Sequence, residues 1–110
     1  MSEYYILGGE DGRTPIQATM EEWSAWEMDA RKTQASFDRM KRVWLTNIGG
    51  YRISTVFLGL NHGWMSEHPL IFETLADGPE GWEEMERYST WEEAELGHFQ
   101  IVEEIVRRFF

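Results

Sequence analysis

The sequence contains no cysteine. Disulfides, thiolate metal sites and cysteine nucleophiles are therefore excluded, and the composition fits a reducing cytosol. Long apolar runs are missing too. The stretch Val56–Leu60 is far too short to span a bilayer. The opening residues, Met1-Ser2-Glu3-Tyr4-Tyr5, lack the basic region and apolar stretch of a secretory signal. A cytoplasmic location with no membrane partner is expected. There is no HExxH or comparable metal-ligand spacing, no Gly-rich phosphate loop and no GxSxG elbow. The motifs thus predict no metal and no cofactor. Bases are scarce: 10 Lys and Arg stand against 20 Asp and Glu, a net charge of −10. Neutralising phosphates needs a basic surface, so nonspecific nucleic-acid binding is not expected.

What is present suits one folded domain over residues 1–110. A chain of this length can bury roughly 65% of its unfolded surface, enough for a core without staples. Hydrophobic residues make up 42%, with six Trp and six Phe, too rich for a disordered chain. The charge is uneven. From Asp77 to Glu104 there are ten acids and one base, Arg87; from Arg31 to Arg52 there are six bases and one acid, Asp38. The basic stretch can meet an anionic ligand and the acidic half a basic partner surface. Equally, both can be solvated faces.

Tyr4–Leu7 reads as a strand closed by the turn cluster Gly8-Gly9-Glu10-Asp11-Gly12. Thr19-Met20-Glu21-Glu22 is a capping box that opens a helix to about Lys32, with Trp23, Trp26 and Ala30 on one face. Arg42–Ile48 and Tyr51–Leu60 flank Gly49-Gly50, a pair suited to a tight primed hairpin turn. In the second run Tyr51, Ile53, Thr55 and Phe57 share one face. Leu70–Leu75 predicts a third strand, antiparallel to the second; Asp77–Gly81 is a turn, and Arg87–Ser89 an edge strand. Thr90-Trp91-Glu92-Glu93 is a second capping box, opening a helix to about Arg108 with charges matched to its dipole. Ala94, His98, Ile101 and Ile105 form its apolar stripe. The mid-helix Gly97 costs about 1 kcal/mol relative to Ala, which points to close approach of the helix to the sheet or a ligand. The predicted fold class is α+β: a small antiparallel sheet with a central Gly-Gly hairpin, packed against an N-terminal helix and a long C-terminal helix.

Three blocks resemble a family of small uncharacterised bacteriophage and prophage proteins. They are Ile53–His62, Leu70–Thr74, and Arg87–Ala94 with Gly97-His98, in that order. The likeness extends weakly to Glu22-Trp23 and Trp26. It implies a phage or prophage origin and does not imply a reaction. Related sequences often carry Asp where this chain has Asn61.

One constellation can carry chemistry. Pairing the third strand against Tyr51–Leu60 is expected to bring Glu73 near Phe57, within reach of Thr55. His62 then lies at the strand end, Thr74 nearby, and His98 points in from the helix. The candidate ligand-binding residues are Thr55, Asn61, His62, Glu73, Thr74 and His98. A His with a carboxylate is the minimum for general acid–base work, and two His with a Glu can hold a metal. A buried His98–Glu73 pair can also simply support the helix–sheet contact.

Two functions follow as expectations. The first is a phage-encoded accessory protein, suited to counter-defence, that inhibits or sequesters a host component by binding. Its target is either a host protein with a basic face or a small nucleotide-like molecule. The alternative is a small His/Glu-dependent enzyme acting on a nucleotide-like ligand. Trp23, Phe57, Phe72, Ile101 and Ile105 are expected in one core. Trp44, Trp64, Trp82, Phe109 and Phe110 exceed what so small a core holds, which suggests a homodimer.

Overall fold

The computed structural model describes residues 3–63 and 65–110. β1 (Tyr4–Gly8) and β2 (Thr14–Ala18) form an antiparallel hairpin separate from the main sheet. Tyr5 and Leu7 of β1 are buried, while three of the five β2 residues are exposed. The sequence pattern does not predict β2, because it contains Pro15 and lacks an apolar face. A strand paired on one side only tolerates Pro, since its outer N–H has no ladder partner to lose.

α1 (Met20–Ala30) begins at the expected cap: Thr19 Oγ1 accepts from Glu22 N at 3.1 Å, and Glu22 Oε1 accepts from Thr19 N at 2.8 Å. α2 (Gln34–Lys41) is not predicted by the sequence. Its cap, Thr33, is answered by Ser36 in place of Glu or Gln, so the usual capping-box signature is missing. Lys41, at its last position, is 2% exposed and paired with Glu27 of α1, whose Oε2 lies 2.8 Å from Nζ. Arg31 Nε donates to Oε1 of the same Glu27 at 2.8 Å. Burial lowers the Lys41 pKa despite that pairing.

β3 (Arg42–Ile48) and β4 (Tyr51–Phe57) make the predicted hairpin. Gly49 and Gly50 both have positive φ, 52° and 85°, as a type I′ turn requires. β5 (Phe72–Asp77) and β6 (Glu83–Tyr88) complete a four-stranded antiparallel sheet in the order β3-β4-β5-β6. A tight turn at Pro79–Gly81 joins the last two. α3 (Trp91–Phe109) starts at a Thr90–Glu93 capping box and lies across one face of this sheet, burying Ala94, Gly97, His98, Ile101 and Ile105. The fold is α+β, as the sequence predicts.

The β4–β5 register differs from expectation by one residue. Phe72 pairs with Phe57, Glu73 with Val56, and Thr74 with Thr55. A one-residue slip turns every side chain to the other face. The observed register buries Phe72, Thr74 and Ala76 against α3 and sends Glu73, Leu75 and Asp77 outward. Keeping two carboxylates out of the core decides the choice.

Beneath α3 the core divides into two apolar clusters. One holds Tyr5, Leu7, Val43, Phe57, Ile71, Phe72 and Ala94; the other holds Tyr51, Ile53, Ala76, Ile101 and Ile105. The expected single core is thus two. Trp23 is half-buried rather than central: its ring packs at a tilt on Tyr4, 5.4 Å between centroids, and it donates to Leu58 O at 3.3 Å. The expected aromatic surplus packs partly within the chain. Trp44 meets Phe99 at 5.1 Å, and Trp82 and Phe109 both pack on Tyr51. Trp64 lies outside the described residues. Among the described residues no helix is long and apolar enough to cross a membrane.

Candidate functional site

Between the two apolar clusters runs a polar layer. The strand pairing puts Thr55 of β4 beside Thr74 of β5 on the buried face, and both are 0% exposed. The α3 stripe drives His98, also 0% exposed, down onto them. His98 Nδ1 is 2.8 Å from Thr55 Oγ1, and Nε2 is 2.8 Å from Thr46 Oγ1 on β3. Thr55 and Thr74 share a hydrogen bond, and the Tyr88 hydroxyl of β6 donates to Thr74 Oγ1 at 3.2 Å. The chain of contacts crosses all four strands.

A neutral imidazole has one donor and one acceptor, so one ring nitrogen of His98 donates to its threonine and the other accepts from its own. Burial pushes the His98 pKa down to about 4, which keeps the ring neutral near pH 7. Every polar atom of the imidazole is engaged, and no carboxylate touches it. The layer satisfies buried polar groups; it has no acid–base pair.

Of the six candidate residues, the structure brings together Thr55, Thr74 and His98. Glu73 lies on the opposite face of the sheet, where Arg87 Nε donates to its Oε2 at 3.0 Å. The predicted Glu73–His98 pair is absent, because of the one-residue register difference. Asn61 is buried in the loop after β4, and its Oδ1 accepts from Gly63 N at 2.8 Å and Leu70 N at 3.1 Å. It shapes the loop and lies apart from His98. His62 is exposed and borders a shallow cavity of about 230 Å³ with Trp23, Glu27, Arg31 and Lys41. The two basic groups there are both held by Glu27. Among the described residues no His, Asp or Glu cluster could hold a metal.

Sequence reasoning misses Thr46 and Tyr88. Period-two alternation through Trp44, Thr46 and Ile48 places Thr46 on the α3 face, a signal available in principle. Tyr88 is placed by Gly97: a Cβ there would lie 2.2 Å from Tyr88 Cε1.

The other face of the sheet carries the surface features. Cross-strand partners share a face. The register therefore lines up Leu45, Ser54, Leu75 and Met85 in a row across all four strands. Leu45, Leu75 and Met85 are 40%, 52% and 48% exposed. On one side runs Asn47, Arg52, Asp77 and Glu83; on the other, Arg42, Val56, Glu73 and Arg87. α3 packs on the opposite face. No family model, curated protein or solved structure matches this chain.

Proposed function

We propose that this chain is a phage-encoded accessory protein that acts in the host cytoplasm by binding, and so inhibiting or sequestering, a host protein, in the manner of a counter-defence factor. The resemblance of the Ile53–His62 and Leu70–Thr74 blocks, and of Arg87–Ala94 with Gly97-His98, to phage proteins supports the origin. One observation carries the binding role: the exposed row Leu45, Leu75 and Met85 on the open sheet face, bordered by Arg52, Asp77 and Glu83 on one side and by Arg42, Glu73 and Arg87 on the other. An apolar strip with a charged rim is the usual anatomy of a protein interface. A partner with an apolar patch that is basic where it meets Asp77 and Glu83 would complement it, and the chain's net charge of −10 would steer the encounter of a basic partner.

A small-molecule target is less well supported. The cavity beside His62 is shallow, and its Lys41 and Arg31 are both engaged by Glu27. The enzyme alternative loses its pair, since Glu73 and His98 lie on opposite faces of the sheet.

The test is capture from a bacterial lysate with the tagged protein, with mass spectrometry of retained proteins and released small molecules. The expected result is a protein retained by the wild type, released by raised salt and lost with Leu75→Asp. Retention of a small molecule with no protein would contradict the reading.

A further inference from the structure

β6 is the outer strand of the four-stranded sheet, with β5 on one side and no strand on the other among the described residues. Gly78 N donates to Trp82 O at 2.9 Å, which fixes the phase of the ladder. Backbone groups alternate in direction along an antiparallel strand. Those of Glu84 and Glu86 therefore point to β5, and those of Glu83, Met85 and Arg87 point outward. The outward groups are a ready template for another strand.

A groove lies on each side of this edge. On the open face Leu75 and Met85 line one of about 340 Å³. On the α3 side Glu84, Glu86, Tyr88, Gly97 and Glu104 line another of about 340 Å³. The first has Leu75 and Met85 with the acids Asp77 and Glu83 beside them, and the second is acidic. One oxygen of Glu84, Oε2, is buried and has no hydrogen-bond donor among the described residues. A strand added to β6 would send alternate side chains into the two grooves, because its residues share faces with those they oppose.

We propose that β6 is a strand-addition edge for an extended partner segment with the alternation basic–apolar–basic, set opposite Glu84, Met85 and Glu86. Its apolar side chain enters the groove by Leu75 and Met85. Its basic side chains enter the groove against α3 and give the Glu84 carboxylate the donor it lacks. Acids along an edge repel acidic strands and lose their hydration without a partner against neutral ones, so the same charges that guard the edge select a basic one. This rests on the reading that the chain binds a protein, and it adds the segment's backbone and its side-chain order.

Two synthetic peptides of one composition test it: one alternates Lys and Val, the other places all Lys before all Val. Binding is read by calorimetry, and amide exchange is followed at Glu83, Met85 and Arg87. The alternating peptide should bind at least tenfold more tightly and slow exchange at these three amides. Met85→Pro removes an outward N–H that β5 does not use, and should abolish the difference between peptides. The pair Glu84→Gln with Glu86→Gln should weaken the alternating peptide at least tenfold while the protein stays folded. Equal binding of both peptides, binding of neither, or unchanged exchange at Met85 would overturn the proposal. Lysate capture separates it from the wider reading. A partner held equally by wild type and Met85→Pro refutes the edge alone. Alternating-peptide binding with no captured protein refutes the wider reading and leaves the edge.

Discussion

Tyr88 lies directly against Gly97: its ring fills the space where a side chain on the helix would begin, with Cε1 2.2 Å from the position of an added Cβ. From that place its hydroxyl reaches Thr74 and ends the polar layer. Gly97→Ala sets two effects against each other. Helix propensity gains about 1 kcal/mol. Pushing Tyr88 aside strains a packed core, which costs about 1–3 kcal/mol. We expect a net loss of stability in urea melts. A more stable Gly97→Ala protein would contradict the contact.

His98 predicts an acid-sensitive fold. Its folded pKa is about 4, against an ordinary value of 6.5. Between these values the unfolded chain binds the proton and the folded one does not. Stability therefore falls as pH drops from 6.5 to 4, by about 3 kcal/mol from this group. The difference in unfolding free energy between wild type and His98→Gln, followed from pH 7 to 4, should shrink by that amount. A difference independent of pH would mean His98 is not buried neutral.

Glu27 bonds both Lys41 and Arg31, and Lys41 is 2% exposed. Glu27→Ala leaves a buried ammonium without a partner. The expected loss is about 3–5 kcal/mol by denaturant melts. Lys41→Met should cost less, because Glu27 keeps Arg31.

Phe57 packs on Phe72 at 5.1 Å and on Trp26 at 5.5 Å, and it is fully buried. Phe57→Ala should lower stability by about 3–5 kcal/mol. A loss under 1 kcal/mol would contradict its central place in the first apolar cluster.

Local chemistry made much of this architecture legible. Thr19–Glu22 and Thr90–Glu93 are capping boxes, Gly49-Gly50 is a primed turn, and Tyr51, Ile53, Thr55 and Phe57 alternate inward as read. α2 was hidden because Ser36 does the work of Glu in its cap. β2 was hidden because it is exposed and contains Pro15. The site failed on one register step. Phe72, Thr74 and Ala76 alternate with Glu73, Leu75 and Asp77, and the preference for carboxylates outside the core could have fixed the phase. Thr55, Thr74 and His98 did meet, because their helix and strand periods were right.

On our proposal, binding belongs to the open sheet face, while the His98 layer supports the fold. The most direct test measures partner capture per folded molecule for two variants side by side, Leu75→Asp and His98→Gln. We expect His98→Gln to melt earlier yet capture the partner as wild type does, and Leu75→Asp to keep its stability and lose the partner. Undiminished capture by Leu75→Asp, with loss in folded His98→Gln, would contradict it.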